Sequence, residues 1–354
     1  METLKIAILI TGYLLIVISL LPLVRLDNWF FRVFEYPRIQ KLVLNAAVII
    51  VFVSLYRPES WQDILFIVLL GLNLCYLIYQ VYPFTPIARK QVIRTAKQDP
   101  ERSINLFIGN VFQDNREANA YLSSIKKVDP DVIMLVETDA WWAQQATIFE
   151  ADYPYRLLVP LENTYGMLLY SKLELIDAEV KFLVEDDIPS IHTCIKLPSG
   201  ELIRFHGLHP TPPVPGENPR STERDKEILL VGKSAKKSKL PVIVAGDLND
   251  VAWSYTTLLF TKISGLIDPR RGRGFFNTFH AKHRFMRFPL DHIFCSTNFT
   301  LLDIQRMPNC GSDHFPMYIS LQYEPMAAAV QEEPEADSSD LQTAEEKINK
   351  STDS

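Results

Sequence analysis

Hydrophobic residues are concentrated in the first 85 positions of the chain, where they form three runs without a charged residue, at 6–24, 42–56 and 64–80. The first run has nineteen residues, enough for a helix to cross a hydrocarbon layer of ~30 Å. The other two runs are shorter, but flanking aromatic and arginine residues can extend each helix into the membrane interface. The pattern predicts a membrane region over 1–83 with three spanning helices. A helical hairpin plus a segment on the membrane surface is the alternative.

A secretory signal peptide is a second interpretation of the first run, because Lys5 precedes it. The apolar core of this run is too long for such a peptide, and residues 20–24 offer no small-residue cleavage site. The pattern therefore favours an integral membrane protein in contact with the lipid bilayer.

The distribution of Lys and Arg predicts the orientation of the three spans. Eight basic residues lie within 25–41 and 89–97, on one side of the arrangement, whereas the other side holds Lys5 and Arg57. The positive-inside rule then puts the large C-terminal domain in the cytoplasm. This orientation inverts if one of the short runs does not cross the membrane.

From residue 102 the pattern changes to an alternation of short apolar strands and amphipathic helices. Strands are predicted at 104–111, 131–136, 166–170, 191–196, 202–208, 242–245, 289–296 and 317–322. Helices are predicted at 116–128 and 222–234. This order predicts an α/β domain over 102–323, with a two-layered sheet core covered by helices, after a linker at 84–101.

Composition changes again at the C-terminal end, over 324–354. This segment has almost no bulky apolar residue and holds nine acidic residues and two lysines, which predicts an acidic disordered tail. The net charge of the 354-residue chain is −6, so the remainder is close to neutral and its charge identifies no partner. The four cysteines form no CxxC pair, which disfavours a disulfide framework or a zinc–thiolate site.

The most informative segment for chemistry is Gly246-Asp247-Leu248-Asn249, which follows the β-branched run 242–245. In extended geometry Asp247 and Asn249 point to the same side of a strand. One acid and one amide on a shared face can orient a water molecule and a phosphate oxygen. The alternative is an Asp-Leu-Asn turn that only ends the strand.

Polar residues with catalytic or ligand chemistry lie in or beside six predicted strands. They are Asn110, Glu137, His209, Asp247, Asn249, Asp291, His292, Asp313 and His314. Strand ends can converge on one edge of a sheet, where ligand sites are common. Carboxylate and amide oxygens are ligands that Mg²⁺ or Mn²⁺ prefers, and imidazoles can act as general acids or stabilise a charged transition state. Each residue alone would more often be structural, as we expect for His292, but their recurrence favours a shared site.

Several of these residues occur in an ordered series of motifs. The series is Asn110-Val111, Glu137 within 135–138, 166–171, 208–210, 246–249, 290–293 and 311–314. It resembles the motifs of the endonuclease/exonuclease/phosphatase superfamily over residues 102–323, and the N-terminal region resembles a bacterial membrane-anchored branch. The resemblance implies a deoxyribonuclease-like four-layer α/β sandwich preceded by a transmembrane helical region, a location in the bacterial inner membrane, and metal-dependent hydrolysis of a phosphate ester.

The resemblance also implies a role for each motif residue. Glu137 is expected to be the principal metal ligand, with Asn110 and Asp313 as further members of the metal site. Asp247 is expected to activate the attacking water. The remaining residues expected around the phosphate are Asn249, His209, His314 and Asp291, the last as the carboxylate partner of His314. Gly109 stands before Asn110 where the family more commonly has a bulkier residue.

The substrate is not identified by these motifs. Residues 267–287 are dense in Arg, Lys, His and Phe, which suits a nucleic-acid backbone with stacked bases, anionic lipid headgroups, or a solvated loop. The leading hypothesis is a membrane-anchored phosphodiesterase or nuclease. A phospholipid or inositol-phosphate phosphoesterase of the same fold and a non-catalytic membrane scaffold are the alternatives, and the sequence indicates no oligomeric state.

Overall fold

The computed structural model describes residues 2–352 of the chain. The helices are α1 (Glu2–Leu20), α2 (Trp29–Arg32), α3 (Arg38–Leu55), α4 (Trp61–Val81), α5 (Ala118–Val128), α6 (Ala140–Ala146), α7 (Thr222–Lys237), α8 (Tyr255–Ser264) and α9 (Ser338–Asn349). The strands are β1 (Ser103–Asn110), β2 (Val132–Val136), β3 (Tyr155–Val159), β4 (Met167–Ser171), β5 (Leu175–Lys181), β6 (Ser190–Lys196), β7 (Leu202–Leu208), β8 (Val242–Asp247), β9 (Asp291–Cys295), β10 (Phe299–Arg306) and β11 (Met317–Tyr323).

Three helical segments near the N-terminus are long and apolar enough to cross a membrane, and they contain the three predicted runs, except that the second helix ends one residue before position 56. Their bounds, including short terminal turns, are Glu2–Val24, Arg38–Leu55 and Trp61–Phe84. They pack on one another through buried Leu15, Phe52 and Phe66. Asn73 donates a hydrogen bond to Asn45 at 2.9 Å inside this bundle, which satisfies polar groups that hydrocarbon would leave unpaired.

Strands β1 to β11 form two sheets that pack face to face. The first has the order β10-β11-β1-β2-β4-β3, and the second has the order β5-β6-β7-β8-β9. In each sheet one central pair is parallel, β1 with β2 and β7 with β8, and the other neighbours are antiparallel. The fold therefore places the carboxyl ends of two parallel pairs in comparable positions on the two sheets.

The core between the sheets explains the apolar strand pattern. Ile108 and Met134 of the first sheet pack there with Phe205, Ile243 and other apolar residues of the second. On the outer face of the first sheet, α5 and α6 contribute Tyr121 and Trp142; on the outer face of the second, α7 and α8 contribute Ile228 and Phe260. The layers run helix, sheet, sheet, helix, which confirms the predicted four-layer α/β sandwich.

The C-terminal segment differs from its prediction, because the described part of 324–354 is not disordered. Helix α9 buries Ala344 and Ile348 against Leu229 of α7 and Leu259 of α8. The ammonium of Lys347 contacts carboxylates of Asp27 and Asp225, each at 2.8 Å. The prediction from average composition was wrong because a short helix needs few contacts to dock. Ala344 and Ile348, four residues apart, and the buried charge of Lys347 are sufficient here.

The segment 84–101, predicted as a linker, lies against the domain. Val92 is buried, and the backbone N–H of Thr95 donates to the carbonyl of Leu301 at 3.0 Å. The chain that joins the apolar helices to β1 is therefore fixed along β10 rather than free.

Candidate active site

The polar residues predicted for the site come together where the two parallel strand pairs end. Asn110 ends β1, Glu137 follows β2, and Asp247 ends β8. Asp247 pairs in register with Asp291, the first residue of β9. A hydrogen bond from Asn110 to Asp247 joins the two sheets, so the site lies between them and not within either one.

Backbone strain marks the turns that carry two of these residues. Glu137 has φ 59° and Asn249 has φ 50°, in the left-handed region that a non-glycine residue occupies at a cost of about 1–2 kcal/mol. Gly246 has φ 143°, and a Cβ there would lie 1.9 Å from the carbonyl oxygen of Leu208. Position 246, at the end of β8, thus requires glycine. Such backbone strain is typical of functional sites.

The expectation that Asp247 and Asn249 share a strand face is wrong, because β8 ends at Asp247. The Asp247 carboxylate instead accepts the backbone N–H of Asn249 at 2.9 Å, which closes a tight turn. The side-chain nitrogen of Asn249 donates to the carbonyl of Pro210, beside His209, at 2.9 Å. The amide is therefore positioned by the loop after β7.

Asn110 connects two carboxylates. Its Nδ2 donates to Oε1 of Glu137 at 2.6 Å and to Oδ2 of Asp247 at 3.0 Å, while its Oδ1 accepts the backbone N–H of Phe112 at 2.9 Å. The side chain predicted to be a metal ligand thus faces the acids with its nitrogen. Burial raises the pKa of Glu137 to about 7, because a carboxylate removed from water is more stable with its proton.

His314 lies between the carboxylates of Asp247 and Asp291. Its Nδ1 is 2.8 Å from Oδ2 of Asp291 and its Nε2 is 3.5 Å from Oδ2 of Asp247. Although burial alone would lower it, the carboxylates of Asp291 and Asp247 raise the pKa of His314 to about 10. Burial would likewise favour neutral Asp247, but the charge of His314 holds the pKa of Asp247 below its usual value. At neutral pH the arrangement is an imidazolium beside ionised Asp247.

The second imidazole has a different environment. His209 is buried next to the Tyr165 ring at 5.3 Å, and burial lowers its pKa to about 4. Among the described residues, its Nδ1 has no hydrogen-bond partner. A neutral imidazole with an unused nitrogen is suited to contact a substrate oxygen.

Asp313 lies partly exposed beside His314, and its backbone carbonyl accepts the N–H of Ala281 at 2.6 Å. His292 lies away from the cluster. Its ring nitrogens face the carbonyl of Asp250 at 2.8 Å and the Arg270 guanidinium at 2.7 Å, under the outer face of the second sheet. This geometry agrees with the structural role expected for His292.

The structure adds positioning residues that the sequence did not indicate. The Thr278 hydroxyl accepts the backbone N–H of Asp291 at 3.2 Å, and the Phe279 ring lies 5.0 Å from that of His314. The hydroxyl groups of Tyr121 and Ser312 both donate to the carbonyl of Asn110. These contacts depend on how loops and helix α5 pack against the strand ends. The sequence pattern indicates only that polar groups lie at the strand ends.

A family model matches this arrangement of motifs over residues 109–314, and its description is Endonuclease/Exonuclease/phosphatase family. The chain belongs to this family. The match covers Asn110, Glu137, His209, Asp247, Asn249, Asp291, Asp313 and His314. A search among curated proteins finds no significant match.

Solved structures support the same fold for this endonuclease/exonuclease/phosphatase family member. TDP2 from D. rerio, complexed with single strand DNA product, is 17% identical with a TM-score of 0.51, over 62% of this chain and 99% of that one. The human Nocturnin catalytic domain with bound sulfate anion is 15% identical with a TM-score of 0.51, over 67% and 97%. An endonuclease/exonuclease/phosphatase from Beutenbergia cavernae DSM 12333 is 15% identical with a TM-score of 0.50, over 63% and 72%. At these identities the similarity concerns the fold alone.

Family members of this kind typically depend on a divalent metal, and the donors here fit a hard cation. Asp247, Asp291 and His314 have ligand atoms within 4.8 Å of one another. Both ring nitrogens of His314 face carboxylates, however, so this trio is better suited to hold a proton than an ion. The partly buried carboxylate of Glu137 accepts hydrogen bonds from the neutral Asn110 amide and the Gln113 backbone N–H, so it is the position that a cation would stabilise. Rotation of the Asn110 amide would present its oxygen at the same place.

Proposed function

We propose that this chain is a membrane-anchored, divalent-metal-dependent phosphoesterase that prefers phosphodiesters to phosphomonoesters. The observation that carries the proposal is the chain of contacts Asp291–His314–Asp247–Asn110–Glu137. It couples an imidazolium, an ionised acid and the partly buried carboxylate of Glu137 in one site. Attack of water on a phosphate ester uses each of these groups.

Glu137, with Asn110 and Asp313, would hold Mg²⁺ or Mn²⁺, which when bound neutralises charge on a phosphate oxygen. Asp247 is ionised at neutral pH and accepts a proton from the attacking water. The water oxygen bonds to phosphorus while the bond from phosphorus to the ester oxygen breaks.

His314 then supplies a proton to the departing oxygen. Its contact with Asp247 offers a route by which the proton taken from water returns to the imidazole. Asp291 fixes the ring orientation, and His209 and Asn249 contact phosphate oxygens.

The experiment uses the full chain in detergent. Hydrolysis of bis-p-nitrophenyl phosphate and of p-nitrophenyl phosphate is measured with Mg²⁺ or Mn²⁺, with EDTA, and with Glu137→Gln beside the surface control Glu150→Gln. We expect faster release from the diester, loss of release with EDTA or Glu137→Gln, and no change in the control. Absence of hydrolysis of these esters, DNA, RNA and phospholipids under both metals would favour the non-catalytic scaffold.

The anchoring part of the proposal rests on the three apolar helices. We propose that they cross the bacterial inner membrane and that the domain from residue 102 onward is cytoplasmic, as the basic residues of 25–41 and 89–97 favour. Reporter fusions after Tyr56 and after Thr352 test this orientation. We expect a phosphatase reporter that is active only outside the cytoplasm to be active when fused after Tyr56. A reporter that fluoresces only in the cytoplasm should fluoresce when fused after Thr352. The reverse pattern would contradict this orientation.

A further inference from the structure

One loop of the catalytic domain touches the beginning of the second apolar helix. The loop comprises residues 280–287, and the carbonyl of its Phe285 accepts a hydrogen bond from the side chain of Gln40 at 2.8 Å. Gln40 belongs to the first turn of α3, whose span starts at Arg38. The loop is therefore level with the end of a helix that is apolar enough to enter a membrane.

The exposed face of this loop has two kinds of side chain. Phe285 is 83% exposed and Met286 is 54% exposed. Lys282 and Arg284, which stand just before them, are exposed as well. Adjacent exposed Phe and Met are unfavourable in water, but an apolar pair beside cations is the composition of segments that dip into a bilayer interface, with the cations at anionic headgroups.

The first residues of the same loop, distant in sequence from Phe285 and Met286 by at least three positions, lie beside the candidate active site. Ala281 donates its backbone N–H to the carbonyl of Asp313, and Phe279, just before the loop, packs on His314. Lys282 lies 5.2 Å from the ring centroid of Phe112, the residue whose N–H holds Asn110. The loop that contacts Gln40 at the start of α3 therefore also contacts Asp313 and lies beside His314.

A second connection reaches the site from the segment before α3. The hydroxyl of Tyr36 donates to the carbonyl of Asn249 at 2.9 Å, and its ring packs edge-on against Phe288 at 5.6 Å. Because Tyr36 stands two residues before the span, Asn249 is also within one side-chain length of the membrane boundary.

We infer that the 280–287 loop lies in the headgroup layer and that the substrate is the phosphate ester of a membrane lipid, hydrolysed without leaving the bilayer surface. This inference rests on the proposed phosphoesterase function. In the reaction, water adds to the lipid phosphorus, one P–O ester bond breaks, Asp247 takes the proton of the water, and the departing oxygen is protonated by His314. The exposed Phe285 and Met286 lie beside the end of α3, and this position favours a lipid over a nucleic acid.

The activity test uses the full chain in nanodiscs that contain phosphatidylcholine, phosphatidylethanolamine, phosphatidylglycerol and phosphatidylinositol, with Mg²⁺ or Mn²⁺. Lipid products are measured by mass spectrometry, and bis-p-nitrophenyl phosphate is hydrolysed in the same preparation as the soluble reference. The variant Phe285→Ser with Met286→Ser is compared with Ile148→Ser, which removes an exposed apolar side chain from the helical turn after α6.

We expect the double variant to lower lipid hydrolysis by about tenfold or more, through lost interfacial partitioning, and to leave hydrolysis of the soluble diester within about twofold. Ile148→Ser should change neither rate. Soluble-diester hydrolysis without hydrolysis of any lipid, or faster hydrolysis of DNA or RNA than of lipid, would overturn the inference while leaving the phosphoesterase intact. No hydrolysis of the soluble diester, of DNA or RNA, or of any lipid by the unaltered chain would instead remove the proposed function itself.

A readout independent of activity locates the loop. Cys75 is exposed and the three other cysteines are buried, so Cys75→Ser gives a background for labelling. A polarity-sensitive dye on Phe285→Cys should shift its emission to the blue in nanodiscs, whereas the same dye on Ile148→Cys should not. Equal emission from both positions would place the loop in water and contradict the inference.

Discussion

The Nδ1 atom of His314 lies 2.8 Å from Oδ2 of Asp291, and both side chains are buried. Asp291 begins β9, whereas His314 lies in the loop between β10 and β11, so the pair joins the second sheet to the chain of the first. Since the imidazole bonds through Nδ1, its Nε2 is directed to Asp247 at 3.5 Å. The pair therefore fixes both the orientation and the charge of the imidazole in the candidate site.

Replacement of this partner tests the positioning role. Asp291→Asn keeps the shape of the side chain but removes the charge that stabilises the imidazolium. We expect kcat for bis-p-nitrophenyl phosphate to fall about 10²–10³-fold with little change in KM, because the loss concerns the transition state. Steady-state kinetics on the full chain in detergent measure both constants.

The control for this variant is Asp129→Asn, which alters an exposed acid whose φ of 43° asparagine accepts readily. It should behave like the unaltered chain. A kcat that is unchanged in Asp291→Asn while the unfolding temperature falls would show that the His314–Asp291 pair is structural.

Glu137 is the acid proposed to bind the metal ion, and its substitution tests that role. For Glu137→Gln we expect the dissociation constant for Mn²⁺, measured by calorimetry, to rise by at least about tenfold, the effect of losing roughly 1.4 kcal/mol. Activity lost in EDTA should return on adding Mg²⁺ to the unaltered chain but only partly to the variant. Equal Mn²⁺ affinity in Glu137→Gln and in the control Glu150→Gln would exclude Glu137 as a ligand.

The strands that are buried on both faces were predictable from the sequence, and edge strands with many exposed residues were not. Strands β2 and β8 are buried on both faces, so they are apolar runs that end at a polar residue. Strands β3 and β5 lie at sheet edges with many exposed residues, and their patterns resemble those of loops. Prediction works where burial dictates residue type and fails where solvent permits many types.

The same distinction applies to the candidate site. Glu137, Asp247 and His314 were found because charged residues at the ends of apolar strands are unusual. The left-handed backbone of Asn249 and the contact of Thr278 with Asp291 were not found, since both depend on how loops fold back on the sheets. The docking of 280–287 on Gln40 likewise joins segments far apart in sequence.

A buried glutamate outside the site makes stability depend on pH. Glu227 of α7 is buried, and within residues 2–352 its Oε1 has no hydrogen-bond partner. Burial, with a smaller effect of Glu185, raises its pKa from 4.5 to about 8. A raised pKa in the folded state means that the stability is full below 4.5 and falls as the pH rises toward 8, because the unfolded chain loses this proton more readily.

Glu227→Gln replaces the neutral acid by a neutral amide of similar shape. We expect the variant and the unaltered chain to unfold at similar temperatures near pH 4.5, and the variant to be more stable near pH 8. The difference should exceed about 1.4 kcal/mol, the free energy of one pKa unit. Thermal unfolding in detergent at both pH values provides the measurement, and Glu150→Gln, an exposed acid, is the control. A difference that does not change with pH would mean that Glu227 is ionised in the folded protein.

The C-terminal helix is held by an ammonium between two buried acids, and this contact decides whether the tail is part of the fold. Lys347→Met removes the charge that faces Asp27 and Asp225 and keeps most of the side-chain volume. Since it leaves two buried carboxylates with less compensation, we expect a loss of about 3–5 kcal/mol and early proteolysis within 338–349. Lys262→Met breaks the ion pair between half-exposed Lys262 and Asp340 of α9, and should cost less, about 1 kcal/mol. Equal effects of the two substitutions, measured by thermal unfolding and limited proteolysis, would mean that α9 rests on the domain only weakly, as the composition of the tail suggested.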